Sequence, residues 1–364
     1  MKDTEKITGT QLGLILYIYV LSTLILSVPG VMVKLAKQDA WLSVFPSALT
    51  ALLTIWVMIT LANRYPGLTI IQYSSKIIGK WPGKCLGVYF SYYWFSFIGV
   101  LLYGHAGYVN TFLLPKTPIW VGTLAILILS ALAVFAGIEV IGRCNEFLTP
   151  LIIAILIPLL ILAIGDSDPG QLKPVLAEGI VPVLKGAFVP SGFMSQFFLL
   201  GWLLPFLNQP KKALKISLIS LLGIVLFLFV IDLLTIMVLG PITGKLNYAF
   251  SGVIQYIGIQ GSFERLEAIP VTIWVMGLFV KLSVTLFMLC YSLSQLFGIR
   301  SYRNIIAPVT LLSMVVSVWI FKNSAEYQSY INIYSFNAFF TQNLLPLALL
   351  LIDTLKRGVN KSLL

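Results

Sequence analysis

The chain reads as an all-α polytopic membrane protein of ten transmembrane helices. Three observations predict this. Its 364 residues are 59% hydrophobic and only 10% charged, with a mean hydropathy of +0.96, a composition that a water-soluble domain of this size does not sustain. Uncharged apolar runs of bilayer length recur from end to end. Those runs are continuously apolar and do not alternate residue by residue, which argues against a transmembrane barrel.

Taken in order, the predicted spans are 12–37, 41–62, 83–113, 118–137, 147–165, 182–207, 213–240, 265–297, 304–321 and 331–355. The connections are short, so residues 1–364 form a single integral membrane domain. Within it, inverted repeats are expected over approximately 10–165 and 180–321, with a final helix pair at 304–355. The opening stretch MKDTEKITGTQLGLILYIYV lacks a small-residue cleavage site and runs straight into a full span, so it does not read as a signal peptide. Between the second and third spans, YPGLTIIQYSSKIIGKWPGK carries Ile70, Ile71, Ile77 and Ile78 around Tyr73 and Ser74, a pattern for a short helix along the interface.

With the N-terminus inside, the cytoplasmic connections hold most of the basic residues, among them Lys6, Arg64, Lys76, Lys80, Lys84, Lys211, Lys212, Arg300, Arg303 and Arg357. The positive-inside rule then predicts that both termini are cytoplasmic. The formal charge of +11 is thus a topology signal and not a nucleic-acid footprint; the lipid bilayer is the expected surrounding. Cys85, Cys144 and Cys290 are scattered without metal-ligand spacing and read as packing residues.

Two spans are interrupted. In VLSTLILSVPGVMVK, Pro29 removes the donor that would bond the carbonyl of Ile25, and Ser22, Thr23 and Ser27 can satisfy freed backbone locally. A proline kink patched by hydroxyls explains this stretch equally well on its own. Span six, however, carries Pro190-Ser191-Gly192 followed by Ser195 and Gln196 near its middle. Spans one and six each open a group of five, and five is odd, so the groups have opposite orientations. Interrupted helices at matching places in inverted halves point to a midplane binding site for a small polar ligand.

The stretches ILSVPGVMVKLAKQDAWLS (25–43), YPGLTIIQYSSKIIGKWPGK (65–84), LLPFLNQPKKALK (203–215) and FERLEAIPVTIW (263–274) resemble the spore germination receptor B subunit family, within the amino acid–polyamine–organocation transporter superfamily. The likeness runs nearly end to end. It implies a leucine-transporter-like 5+5 inverted repeat with discontinuous helices 1 and 6, the inner membrane of a bacterial spore, and partner A and C subunits. It also implies a nutrient ligand that is amino acid-like. One departure stands out: where the superfamily often has G-x-G at the first break, Ser22 and Leu24 stand here, which hints at a different or less polar ligand.

Lys281, midway along span eight in VMGLFVKLSVTLFML, is costly in a membrane, at roughly 2.5–3.5 kcal/mol on insertion scales, so it is expected to face protein or water. In the resembled fold span eight packs against the break in span one, where many relatives hold sodium. The resemblance therefore implies that the Lys281 ammonium acts as an internal cation substitute, held by carbonyls around Ser22 to Ile25; snorkelling or pairing elsewhere is the alternative. Ser283 and Thr285 lie close by in sequence. Span three borders the ligand in that fold, which nominates Tyr93 and Phe97, four residues apart on one helix face, with Phe193 or Phe197 closing the opposite side. The expected ligand-binding set is then Ser22, Thr23, Ile25, Tyr93, Phe97, Ser191, Gly192, Ser195, Gln196, Phe197, Ser283 and Thr285.

Other polar residues read as structural. Asp232 is a second intramembrane charge, either paired or protonated. His105 is the lone histidine and reads as a satisfied neutral side chain. Glu139, Arg143 and Glu146 form an ion-pair array or a docking face, and Glu264, Arg265 and Glu267 mark a gate, a partner contact or a fold-fixing pair. No P-loop, acid dyad or nucleophile motif appears, so neither an enzyme nor a cofactor is expected. The sequence favours a ligand-sensing membrane subunit. An autonomous amino acid or amine transporter is one rival; an ion- or water-conducting pore past Ser22, Thr23, Ser191 and Ser283 is another.

Overall fold

The computed structural model describes residues 5–260 and 268–362. Glu264, Arg265 and Glu267, and the side chain of Ser27, lie outside the described residues. Ten helical stretches among the described residues are long and apolar enough to cross a membrane.

Helix α1 (Gly9–Ser27) starts at a capping box read directly from Thr8-x-x-Gln11: Thr8 Oγ1 accepts from the Gln11 N–H at 3.1 Å, and Gln11 Oε1 accepts from the Thr8 N–H at 2.9 Å. The helix stops at Val28, and Pro29 opens α2 (Pro29–Ala36), a position where its missing N–H is least costly. Gly30 is obligatory here, because a Cβ would lie 2.3 Å from the Leu246 carbonyl oxygen. A 3₁₀ stretch (Lys37–Ser43) leads into α3 (Val44–Arg64). The short amphipathic helix expected before span three is α4 (Ile70–Ile78), begun by a second capping box of Thr69 and Gln72. Long helices α5 (Lys80–Phe112), α6 (Ile119–Ala136) and α7 (Ile138–Gly165) complete the first half.

Span six is broken into α8 (Val181–Gly186), α9 (Phe188–Met194), a 3₁₀ segment (Ser195–Leu199) and α10 (Leu200–Leu203). Helices α11 (Ala213–Leu239) and α12 (Ala249–Gln260) follow, the latter being the short helix expected between spans seven and eight. Helices α13 (Ala268–Phe297), α14 (Ile306–Trp319) and α15 (Ser324–Phe339) come next. A π-helical turn (Phe340–Leu344) joins α15 to α16 (Leu345–Ser362).

The first, sixth and eighth spans are the most enclosed, and spans four, five and nine turn broad apolar faces outward. Bilayer-length helices can bury so little of their apolar surface in protein only because lipid covers the rest. The interior is fixed by rings: Phe198 lies 5.2 Å from Phe90 and 5.1 Å from Trp202, which is 5.4 Å from Trp94.

Both ends of this interior are tied shut. On the face carrying residue 5, the Ile7 N–H donates to the Phe206 carbonyl at 2.9 Å and the Asn208 N–H donates to the Ile7 carbonyl at 3.0 Å. Glu5 there pairs with Arg303 at 2.5 Å and accepts from the Ile138 N–H at 3.0 Å. On the opposite face, Lys37 pairs with Glu178, and the Leu176 N–H donates to Asp39 Oδ1 at 2.9 Å.

Candidate functional site

Three positions on one stripe of α13 face α1. Gly277 lets the backbones close, since a Cβ there would meet Ser22 Cβ at 2.7 Å. One turn on is Lys281, and a further turn on Thr285 Oγ1 exchanges a hydrogen bond of 2.9 Å with the Tyr19 hydroxyl. Spacing of four residues puts all three on the same face, and a small residue at a helix crossing permits the close approach.

Lys281 is wholly buried. Its Nζ donates to the Tyr19 carbonyl, to Thr23 Oγ1 and to Gln196 Oε1, each at 2.7 Å. An ammonium has three donors, and all three are used, at distances typical of charge-assisted bonds. The Tyr19 ring centroid lies 4.7 Å from Nζ and the Phe97 centroid 5.5 Å, so two π faces add to the cation's stabilisation. No carboxylate among the described residues pairs with it.

The chamber continues through aromatic residues. Gln196 Nε2 donates to the Tyr334 hydroxyl at 2.9 Å. The Tyr334 ring packs on Phe97 at 5.8 Å and Phe193 at 5.1 Å, and Phe97 stacks on Tyr93 at 6.4 Å. Beside them lies a cavity of about 30 Å³ bounded by Thr23, Phe97, Phe193, Trp274 and Tyr334. A second, of about 20 Å³, lies between Ser22, Ile25, Ile152 and Trp274. Each has room for about one or two waters, so the interior is closed around Lys281 in this conformation.

Thr341, Gln342 and Asn343 form a wedge at the π-helical turn. Asn343 donates from Nδ2 to Ser195 Oγ at 2.5 Å and accepts from Thr54 Oγ1 at 2.7 Å. Gln342 Nε2 donates to the Tyr93 hydroxyl at 2.5 Å, and Thr341 Oγ1 shares a hydrogen bond of 2.8 Å with the Tyr89 hydroxyl. The tenth span thereby holds spans two, three and six. Single π turns inside α-helices recur at functional sites.

The structure gathers some of the expected residues and separates others. Thr23, Gln196, Lys281, Tyr93 and Phe97 meet around the chamber, with Thr285 supporting Tyr19 from behind. Ser195 belongs to the Asn343 wedge. Ser22 and Ile25 border the smaller cavity instead, and Ser22 Oγ has no partner among the described residues. Ser191 and Ser283 turn back onto their own helices, donating to the Ala187 carbonyl at 2.7 Å and the Phe279 carbonyl at 2.7 Å. Gly192 is a packing position, where a Cβ would lie 2.6 Å from Ser335 Cα. Phe197 is buried in the 3₁₀ segment, while Phe193 supplies the ring on Tyr334. The reason is register: each helical residue turns its side chain by about 100°, so neighbours in sequence serve different cavities.

The carbonyls around Ser22 to Ile25, expected to hold the ammonium, do not do so. The α1 backbone stays helical there, the Val28 N–H donating to the Leu24 carbonyl at 3.2 Å; the break falls at Val28, beyond the Ser22 and Leu24 positions. The acceptor is the Tyr19 carbonyl, whose second lone pair is available even inside a helix. Sequence reasoning passed over Tyr19, Trp274, Tyr334 and the Thr341-Gln342-Asn343 run. The last carried a signal: three adjacent amide or hydroxyl side chains in an apolar span. Asp232 is buried with neither carboxylate oxygen partnered among the described residues, and His105 Nδ1 is likewise unpartnered. Of the Glu139, Arg143 and Glu146 array, Arg143 pairs with Glu139 at 2.5 Å, whereas Glu146 accepts from Gln11 Nε2 at 3.1 Å.

Comparison with known proteins agrees with this architecture. The chain is 28% identical over 300 residues to spore germination protein YndE of Bacillus subtilis (strain 168), covering 81% of this chain and 82% of that one. Spore germination protein KB of the same organism is 25% identical over 331 residues, covering 89% and 88%. Among solved structures, MhsT in complex with L-phenylalanine superposes with a TM-score of 0.67 at 14% identity, over 94% of this chain and 88% of that one. Mhp1, a nucleobase-cation-symport-1 family transporter in a closed conformation, gives 0.57 at 14% identity over 93% and 78%. These structural likenesses speak for the leucine-transporter-like fold. The spore germination protein family matches residues 6–326, and this membrane chain belongs to that family.

Proposed function

We propose that this chain is the membrane-embedded receptor subunit through which a spore detects a small nutrient, amino acid-like in size, at the bilayer midplane. The observation that carries the reading is the convergence of α1, the 3₁₀ segment of span six and α13 on one buried ammonium beside an aromatic-walled cavity. Residues 10–165 and 180–321 are taken as the inverted halves. The termini are taken to face the spore core, in keeping with the basic residues on that side. In this reading Lys281 supplies the charge that a diffusible cation would otherwise bring.

The closed chamber is one of two arrangements. Ligand must favour an opened one energetically, because equal affinity for both shifts nothing. The shift is passed to A and C subunits of the receptor, and germination follows. The test is a nutrient panel scored for germination in spores lacking this chain and in spores carrying Gln196→Leu at normal abundance. Loss of response to one nutrient in both strains is expected; a full response to every nutrient without the chain sinks the reading.

Autonomous transport is a second reading, favoured by the fold shared with MhsT and Mhp1. Fold alone does not decide between sensing and transport. Saturable uptake into vesicles containing only this chain would favour it.

A further inference from the structure

We propose that Lys281 Nζ is the anchor for a ligand carboxylate, which takes the place of Gln196 Oε1 on the ammonium. This names the ligand class for the receptor reading above and rests on it: a small carboxylate with an apolar or aromatic body.

The chamber holds a buried cation with no anionic partner among the described residues. Its one charge is a cation whose three partners are a carbonyl, a hydroxyl and an amide oxygen, all neutral. Hydrogen bonds between two ionised partners are roughly twice as strong as neutral ones, and a buried charge is costly until an opposite charge meets it. An incoming carboxylate therefore outcompetes a neutral amide oxygen for the same N–H. Independently, Trp274 is buried, its Nε1–H has no acceptor among the described residues, and it borders both small cavities. Indole can only donate. The cation's partner Thr23 and the orphaned donor of Trp274 border the same cavity, and with no acid lining either cavity the pattern calls for an acceptor-rich guest. A sugar or an amine does not answer that pattern.

The displaced partner explains how occupancy is reported. Gln196 links Lys281 on α13 to Tyr334 on α15 through its two amide atoms. Once its oxygen is released, span six loses this tie to span eight, while the Trp202 Nε1–H bond to Ser292 Oγ at 2.6 Å holds the two spans further along. The cavity of about 30 Å³ can enlarge only if these side chains move, so binding and loosening of span six are one event.

The experiment measures binding to the purified full chain in nanodiscs by calorimetry. Matched probes are 3-phenylpropionate against 3-phenylpropionamide, and L-leucine against L-leucinamide, with glucose as an uncharged control. At least one acid is expected to bind ten-fold or more tightly than its amide. Lys281→Gln should weaken the acid at least ten-fold and abolish the preference, and Lys281→Arg should keep part of it. Gln196→Met, which frees the ammonium, should tighten acid binding. The acid–amide comparison uses the unmodified protein, so it stands even where a variant does not fold. Equal binding of acid and amide, glucose binding better than both acids, binding of neither acid, or an acid preference that survives in folded Lys281→Gln overturns the proposal. A nutrient response that depends on the chain yet is triggered only by uncharged nutrients overturns the carboxylate while leaving the receptor reading intact. A response indifferent to the chain removes the receptor reading itself.

Discussion

The first span surrenders a single backbone donor at Pro29 and resumes as a helix at once, whereas the sixth replaces a whole stretch of α-helix with the 3₁₀ segment Ser195–Leu199. The two breaks open corresponding groups of five spans, yet they do different work. The first leaves Tyr19 and Thr23 on regular helix, so their atoms meet Lys281 at positions set by the 3.6-residue period. The sixth re-aims consecutive side chains, sending Ser195 to Asn343 and Gln196 to Lys281. The lesson is that the rigid half of the site comes from an ordinary helix face and the adaptable half from the irregular segment. Irregular backbone is tolerated at membrane depth only where protein partners satisfy it; ahead of the segment the Ser191 carbonyl accepts from Thr50 Oγ1 at 3.0 Å and Ser195 Oγ at 2.8 Å, and the wedge from the tenth span fixes the Ser195 side chain.

Substitutions can break this contrast. The largest effect is expected at Gly192: Gly192→Val drives a side chain against the Ser335 backbone, which cannot yield as a side-chain tip would. A loss of about 3 kcal/mol or more is expected, read as loss of monodisperse protein after detergent extraction. Unchanged yield and melting would mean that span six adjusts freely. Next comes Asn343→Leu, which strips Ser195 and Thr54 of a partner each. Both hydroxyls keep a backbone carbonyl, of Ser191 and Thr50, so the loss should be about 0.5–1.5 kcal/mol per hydrogen bond removed, measured by thermal unfolding in detergent, with the nutrient response weakened as well.

A smaller effect is expected at the first break. Pro29→Ala restores one N–H to a short, already helical segment, and stability should change by about 1 kcal/mol or less, with the dose–response for germination unmoved. A lost response would make the first break as functional as the sixth and erase the contrast. The smallest is Glu5→Gln at the partly exposed latch with Arg303. About 1 kcal/mol or less is expected, and the melting temperature should move less in high salt than in low. A large, salt-independent loss would show that the latch closes that end of the chamber more firmly than spans one and six do.

Much of this molecule is legible in its amino-acid order. Hydropathy is additive along the chain, so the spans, the α4 helix and α12 follow from local runs. Proline chemistry is local too, which locates the interruption in span one at Pro29; in span six Pro190 sits inside α9 and the 3₁₀ segment opens beyond it, at Ser195. Lys281 announces itself because a lone ammonium in hydrocarbon requires partners. The candidate site is legible as residue types but not as an arrangement. Tyr19 and Tyr334 look like two aromatics among many, and nothing in ILYIYV tells which tyrosine carbonyl an ammonium will find. The serines at 22, 191 and 283 have the right chemistry, but they turn to a separate cavity or to their own helices.

By itself, then, the sequence determined that the chain lives in a bilayer, where it crosses, where its helices falter, and that one buried cation needs a purpose. Only the tertiary structure decided which atoms meet that cation. Its partners lie 262, 258 and 85 residues away along the chain. The physical reason is that transfer energies sum over composition and survive any rotation of a helix about its axis. A hydrogen bond does not: it depends on that rotation, and the rotation is fixed by packing between spans, such as Gly277 against Ser22 and Gly192 against Ser335.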